Sequence, residues 1–132
     1  MPHIQFDINQ TIARPEKIAL TRQTQHLFAR IMVTGTDHIS ISIRECGTFN
    51  LSLGKVEQPE LGIALVNADI RAGRTLEQRR ALSLGLMEVI HTVLKIPKEH
   101  MYVTLTEHPG EDFHLLERYL ASWQQGEDPL KD

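Results

Sequence analysis

An α+β fold is predicted for this chain: two tandem β-α-β units forming one four-stranded mixed sheet, both helices on one face, and a short C-terminal helix. Three observations predict it. The chain repeats itself at a shift of about 62 residues, which lays residues 4–8 on 66–70, Asp7 on Asp69, and residues 38–45 on 100–107. In each copy an apolar/polar alternation of period two marks a strand with one buried face. Between the strands the apolar spacing changes to that of an amphipathic helix.

The elements follow in order. Residues 2–8 (Pro-His-Ile-Gln-Phe-Asp-Ile) read as the first strand. The first helix is expected to begin at Pro15, a residue suited to a first turn, and to bury Leu20, Leu27, Phe28 and Ile31 before Thr34-Gly35. Its cap is poor, because Arg14 offers no acceptor. Ile39, Ile41 and Ile43 alternate with Ser40 and Ser42 as the second strand, and residues 49–54 are read as a further short strand. Pro59-Glu60-Leu61-Gly62 marks the junction between copies. After the third strand, Thr75-Leu76-Glu77-Gln78 is a capping box, opening a helix with Leu82, Leu86, Val89, Ile90, Val93 and Leu94 on one stripe and ending before Pro97. Met101, Val103 and Leu105 form the buried side of the fourth strand. Asp112 reads as the cap of the C-terminal helix, with Phe113, Leu116, Leu120 and Trp123 along one side and Gly126 as its stop. The whole is read as a single domain, 1–132, with repeat halves of about 1–58 and 62–113 and an extension over 114–132. Helices on one face leave the other sheet face uncovered. Ile, Val and Leu exposed there would make subunits pack sheet against sheet, in a compact closed oligomer, expected to be a homotrimer.

Composition narrows the function classes. With 132 residues, 41% of them apolar and 23% charged, the chain has room for one real core and is neither disordered nor membrane-like. A net charge of −3 gives no nucleic-acid footprint. No secretory signal pattern is read at the start, and a lone Cys46 fits a reducing cytoplasm. Seven histidines are scattered without metal-ligand spacing, so no metal site is expected.

The chemistry-bearing residues are few. If Met1 is removed, Pro2 becomes a secondary amine that burial or a guanidinium makes less basic and a carboxylate more so, suited to general acid or base work near neutral pH. Alternatively it merely starts an edge strand. Arg71 and Arg74 flank Ala72-Gly73 between a strand and a helix N-terminus, where two guanidiniums are able to grip a carboxylate. Read blandly, they are solvated loop residues or partners for Glu77. Asp37 heads the second strand, as a proton or water partner or as an ordinary turn residue.

Pro2, the segment Gly73-Arg74-Thr75-Leu76-Glu77-Gln78, and Thr106-Glu107-His108-Pro109-Gly110-Glu111-Asp112-Phe113 together resemble the tautomerase superfamily over nearly the whole chain. Thr34-Gly35-Thr36 and residues 71–74 look like cis-3-chloroacrylic acid dehalogenase, whereas Asp37 and the C-terminal stretch look more like malonate semialdehyde decarboxylase. The resemblance implies a cofactor-independent enzyme acting on small 2-oxo or enol carboxylic acids. Pro2 would be the acid/base, with Arg71 and Arg74 as carboxylate grip, Asp37 as water or proton partner, and Phe113 and Tyr102 lining the substrate. The dehalogenase pattern has a histidine where this chain has Ala29 or Arg30, and a tyrosine where it has Thr104. Hydratase, decarboxylase or weak dehalogenase chemistry, and a non-catalytic oligomeric binding protein, stand as alternatives.

Overall fold

A computed structural model describes residues 1–131. The main elements are β1 (His3–Ile8), α1 (Arg14–Met32), β2 (Ser40–Glu45), β3 (Ala64–Arg71), α2 (Leu76–Leu94) and β4 (Met101–His108). The sheet order is β2-β1-β3-β4. β1 and β3 pair antiparallel at the centre, His3 opposite Asp69 and Ile8 opposite Ala64, while β2 and β4 flank them in parallel. Each flanking pair is one β-α-β unit.

The core lies between the two helices and one face of the sheet. Ile4, Phe6 and Ile8 of β1 and Val66, Ala68 and Ile70 of β3 pack with Leu20, Leu27 and Phe28 of α1 and Leu82, Leu86 and Ile90 of α2. Fully burying one such Leu, Ile or Phe side chain stabilises the fold by about 1.5–3 kcal/mol. The helices meet closely at Gly85, where a Cβ would stand 2.8 Å from the Leu27 side chain.

The two helix starts differ as their sequences do. Thr75 caps α2 by a complete box: its hydroxyl accepts from the Gln78 amide at 3.1 Å and Gln78 Oε1 accepts from the Thr75 amide at 3.0 Å. α1 starts one residue before Pro15, and its capping residue Ala13 has no acceptor to offer. Glu16 reaches back to the Ala13 amide at 3.3 Å, and Glu45 accepts from the Ile12 amide at 2.9 Å and pairs with Lys17 at 3.0 Å. That amide first, and Lys17 second, hold the Glu45 carboxyl below the usual carboxylate range.

Three expectations are corrected. Residues 49–54 form no strand: Asn50 and Val56 amides close turns onto Gly47 and Leu53 carbonyls, and Phe49 is exposed. No α-helix follows Asp112 among the described residues. A single turn of 3-10 helix, Gly110–Asp112, gives way to a small bridge between His114 and Tyr119 and then to irregular chain. The Ala121 carbonyl and the Trp123 amide pair instead with Arg71 and Ala72, distant in sequence, and not within a helical ladder. Leu116, expected on the buried stripe, is fully exposed. The third correction concerns the uncovered sheet face, which is polar apart from Leu65 and Tyr102. Because the helices take the apolar side of every alternation, the other side presents His3, Gln5 and Asp7, Ser42 and Arg44, Asn67 and Asp69, Thr104 and Thr106. These are cross-linked by Arg44 to Asp7 at 2.6 Å, His3 to Ser42 at 2.8 Å, His108 to Asp69 at 2.8 Å, and both threonine hydroxyls to Asn67 at 3.1 Å.

Asn9, just past β1, is 2% exposed and joins three segments. Its amide nitrogen donates to the Thr48 carbonyl at 2.9 Å and the Pro59 carbonyl at 3.0 Å, and its oxygen accepts from the Ile63 amide at 2.6 Å. Asn9→Ala leaves these groups without a partner, and we expect a loss of about 2–3 kcal/mol in urea unfolding. A loss below about 1 kcal/mol would show that water replaces the side chain there.

Candidate active site

The antiparallel register of β1 and β3 decides what stands beside the chain's beginning. Continuing it from His3 opposite Asp69 brings Pro2 opposite Ile70 and Met1 opposite Arg71. Pro2 is buried, its carbonyl accepts from the Ser40 amide at 3.0 Å, and Met1 is 7% exposed. The first residues are thus held at the end of the sheet from which the β3–α2 turn departs.

Arg71 closes β3 and is 2% exposed. Its Nη1 donates to the Ala121 carbonyl at 2.7 Å, and its Nη2 donates to the Glu127 carboxylate. Arg74, three residues on, is 5% exposed, and its guanidinium donates to the Met32 carbonyl at 2.9 and 3.2 Å from Nη2 and Nε. That places a cation on the carbonyl end of α1, where the helix dipole favours it. The same guanidinium lies 4.7 Å from the centre of the Trp123 ring. Neither arginine is a solvated loop residue, and neither ion-pairs with Glu77.

Besides Met32, the groups around both arginines come from residues 120–129, which cross this end of the molecule as a strap. The Trp123 amide donates to the Ala72 carbonyl at 2.8 Å, the Gly110 amide donates to Ser122 Oγ at 3.1 Å, and the Gly35 amide donates to the Pro129 carbonyl at 2.9 Å. Two glycines make the approach possible. A Cβ on Gly73 would stand 2.0 Å from the Trp123 carbonyl oxygen, and one on Gly110 would stand 2.0 Å from the Ala121 carbonyl. Gly73 also has φ +124°, which side chains rarely adopt. Where the strap meets Arg71 there is a cavity of about 200 Å³ lined by Arg71, Leu120, Ala121, Glu127 and Asp128.

The remaining candidates divide between the two ends of the sheet. Asp37 is exposed in the turn three residues ahead of Ser40, at the end where Pro2 lies. Phe113 packs edge-on against His108, ring centres 5.5 Å apart, and His108 is the register partner of Arg71. Phe113 therefore belongs to the same end. Tyr102 stands opposite Leu65, which pairs with Asp7. Five residues of strand, about 16 Å, separate that position from Pro2. Within one chain Tyr102 is not brought to the others. It lines a separate hollow of about 140 Å³ with Gln5, Asp7 and Arg44.

The model of the tautomerase enzyme family matches residues 65–118, the stretch that holds Arg71, Arg74 and Phe113. A solved member of the cis-3-chloroacrylic acid dehalogenase family is 25% identical, covers 91% of this chain and 84% of its own, and superposes with a TM-score of 0.82. The family match thus covers the second half of the chain, and the likeness to that solved structure covers nearly all of it. A fused 4-OT, described as a wild-type asymmetric trimer, is 24% identical over 89% of this chain and 94% of its own, with a TM-score of 0.77. A malonate semialdehyde decarboxylase inhibited by 3-bromopropiolate shares the tautomerase fold at 14% identity over 84% of this chain and 86% of its own, with a TM-score of 0.72. No curated protein sequence matches the chain.

Glu127 and the backbone of the strap are the parts of this candidate site that the sequence reading missed. The available signal was glycine at both 73 and 110, on two strand-end turns, where close backbone approach is one of the few reasons to need glycine. Trp123 is the chain's only tryptophan and is 7% exposed, so it reports directly on the strap. Gly73→Ala should push the strap outward. We expect red-shifted tryptophan emission, greater quenching by iodide, and a loss of about 1–3 kcal/mol in stability. Emission identical to that of the parent protein would show that the contact at Trp123 is dispensable.

Proposed function

We propose that the chain is a cofactor-independent tautomerase or isomerase for small 2-oxo or enol carboxylic acids, working through Pro2 once Met1 has been removed. The observation that carries this reading is the burial of Pro2 at the end of the sheet shared with Arg71. While Met1 is attached, the Pro2 nitrogen is an ordinary amide with no basic lone pair. Without it, the same nitrogen is a secondary amine at a buried position, and burial favours its neutral form. A neutral amine takes the proton from the carbon next to the carbonyl, and the ammonium so formed returns it at another carbon or at oxygen. Arg71, already donating to one carboxylate, supplies the geometry for holding a substrate carboxylate and the developing enolate charge. Arg74 fixes the turn through Met32 and adds positive charge to the same end. Phe113 forms an apolar wall beyond His108.

Asp37 at the same end supports a second reading, hydration or decarboxylation with protonated Pro2 as acid and Asp37 orienting water. The pH profile separates the two. A base must be neutral, so its rate rises with pH through the amine pKa, and an acid shows the reverse. We further propose a homotrimer in a reducing, cytoplasmic setting. The fused 4-OT similar to this chain is described as a trimer, and Cys46 is a free thiol. Among the described residues no helix is long and apolar enough to cross a membrane.

The test is ketonisation of phenylenolpyruvate by protein whose intact mass shows that Met1 is gone. Pro2→Ala should lower kcat/KM by about 10²–10⁴, and Arg71→Ala should raise KM by at least about tenfold through loss of a charge-assisted grip. Full activity in Pro2→Ala would end this reading.

A further inference from the structure

His108 stands on the last rung of the sheet, beside the candidate site. It is the register partner of Arg71, and partners on neighbouring strands carry their side chains on the same side of a sheet. Met1 continues that rung on the other side of Arg71, so an amine exposed by removal of Met1 lies two strand spacings, about 10 Å, from the His108 backbone. The imidazole meets the Phe113 ring edge-on and is 37% exposed. One of its nitrogens is already committed. Nε2–H donates to an Asp69 oxygen at 2.8 Å, and the other Asp69 oxygen accepts from the Asn67 side-chain amide at 3.4 Å. Asn67 is oriented in turn by the Thr104 and Thr106 hydroxyls, each donating to its oxygen at 3.1 Å. A carboxylate only accepts, so the hydrogen of a neutral imidazole sits on Nε2 and Nδ1 is left as an acceptor. Among the described residues no donor meets Nδ1.

We propose that His108 is a specificity-determining residue: its Nδ1 accepts from the hydroxyl of an enol or 2-hydroxy acid, so that the site takes the hydroxyl form of its ligand in preference to the oxo form. This rests on the reading that a small 2-oxo or enol carboxylic acid binds at this end of the sheet. An oxo oxygen has no hydrogen to give, and it sets its lone pairs against that of Nδ1. A fixed acceptor thus discriminates against the ligand that lacks the donor. Asp69 acts only through the imidazole, as a positioning residue. Asparagine in its place inverts the arrangement. Its oxygen stays with the Asn67 amide and its NH2 faces Nε2, so the ring hydrogen moves to Nδ1 and the acceptor becomes a donor.

The experiment compares, by calorimetry at pH 8.5 on the Met1-free protein, binding of mandelate, a 2-hydroxy acid, with binding of benzoylformate, the matching 2-oxo acid. Benzoylformate has no hydrogen on the carbon next to its carbonyl and cannot enolise. The parent should bind mandelate more tightly by about fivefold or more. Asp69→Asn should reverse the order. His108→Phe, which keeps a ring against Phe113 and removes both nitrogens, should bring the two dissociation constants within about twofold of each other. His26→Gln, on the exposed side of α1, should leave the parent's ratio in place. Nitrogen-15 NMR at the same pH should find the His108 hydrogen on Nε2 in the parent and on Nδ1 in Asp69→Asn, with the His108→Phe spectrum assigning the signal. Loss of a merely structural contact would move neither the tautomer nor the order. Equal binding of the two acids by the parent, an unchanged order in Asp69→Asn, hydrogen on Nδ1 in the parent, or no binding of either acid overturns the inference. Because binding needs no proton transfer, an inactive Pro2 with a reversed order in Asp69→Asn would sink the proposed reaction and leave His108 its role. Proline-dependent activity with an order indifferent to Asp69→Asn would do the opposite.

Discussion

Six residues of β1 pair antiparallel with β3, from His3 opposite Asp69 to Ile8 opposite Ala64, and this one register decides which parts of the chain meet. Side chains alternate across a strand, so slipping the pairing by one residue would turn Ile4, Phe6 and Ile8 out of the core. Their complete burial, worth several kcal/mol in sum, therefore fixes the register. With it comes the position of the first two residues beside the β3–α2 turn. Hydrophobic burial thus places a polar site that it does not itself contain.

What closes over that site is held by polar contacts and backbone fit. The strap contributes one large apolar anchor, Trp123, and otherwise lies on hydrogen bonds to Ala72, Gly110, Gly35 and Arg71. The Arg71–Glu127 pair should not be counted as a source of stability, because desolvating two charges costs about as much as their attraction returns. Its effect is on charge at the site. The arginines also serve the scaffold: Arg74 stands as a cation on the Met32 carbonyl, at the end of α1. Site and scaffold share these side chains, so the loop between β3 and α2 has little freedom to vary without loosening both.

The sheet and the helices were legible because their signals are local and repeated. Period-two alternation in residues 39–43 and 101–105, the Thr75 box and the 62-residue self-similarity all point to one architecture. The polar character of the open face was written in Ser40 and Ser42 and in Thr104 and Thr106, and was missed by following the apolar half of the alternation alone. The strap was not legible as a helix or as a strand. Phe113, Leu116, Leu120 and Trp123 have helical spacing, but only Trp123 is buried, and backbone contacts remote in sequence override the local pattern. The grouping of Pro2, Arg71, Phe113 and Asp37 at one end depends on strand direction, which the repeat supplies. The distance of Tyr102 from that end depends on counting along the strand. Burial of both arginines depends on Glu127 and Trp123, 56 residues from Arg71 and 49 from Arg74, and has no local signature.

Under the proposed function, an amine at the chain's beginning reacts because of where the register holds it. A direct measurement is covalent labelling of the Met1-free protein by 3-bromopyruvate, a carboxylate-bearing electrophile, followed by peptide mass mapping. The amine nitrogen forms a bond to the methylene carbon as bromide leaves, and the displaced proton passes to solvent. The account predicts one adduct on Pro2, slowed by added pyruvate and absent when Met1 is retained. Labelling confined to the free thiol of Cys46, with Pro2 unmodified and no protection by pyruvate, would contradict it.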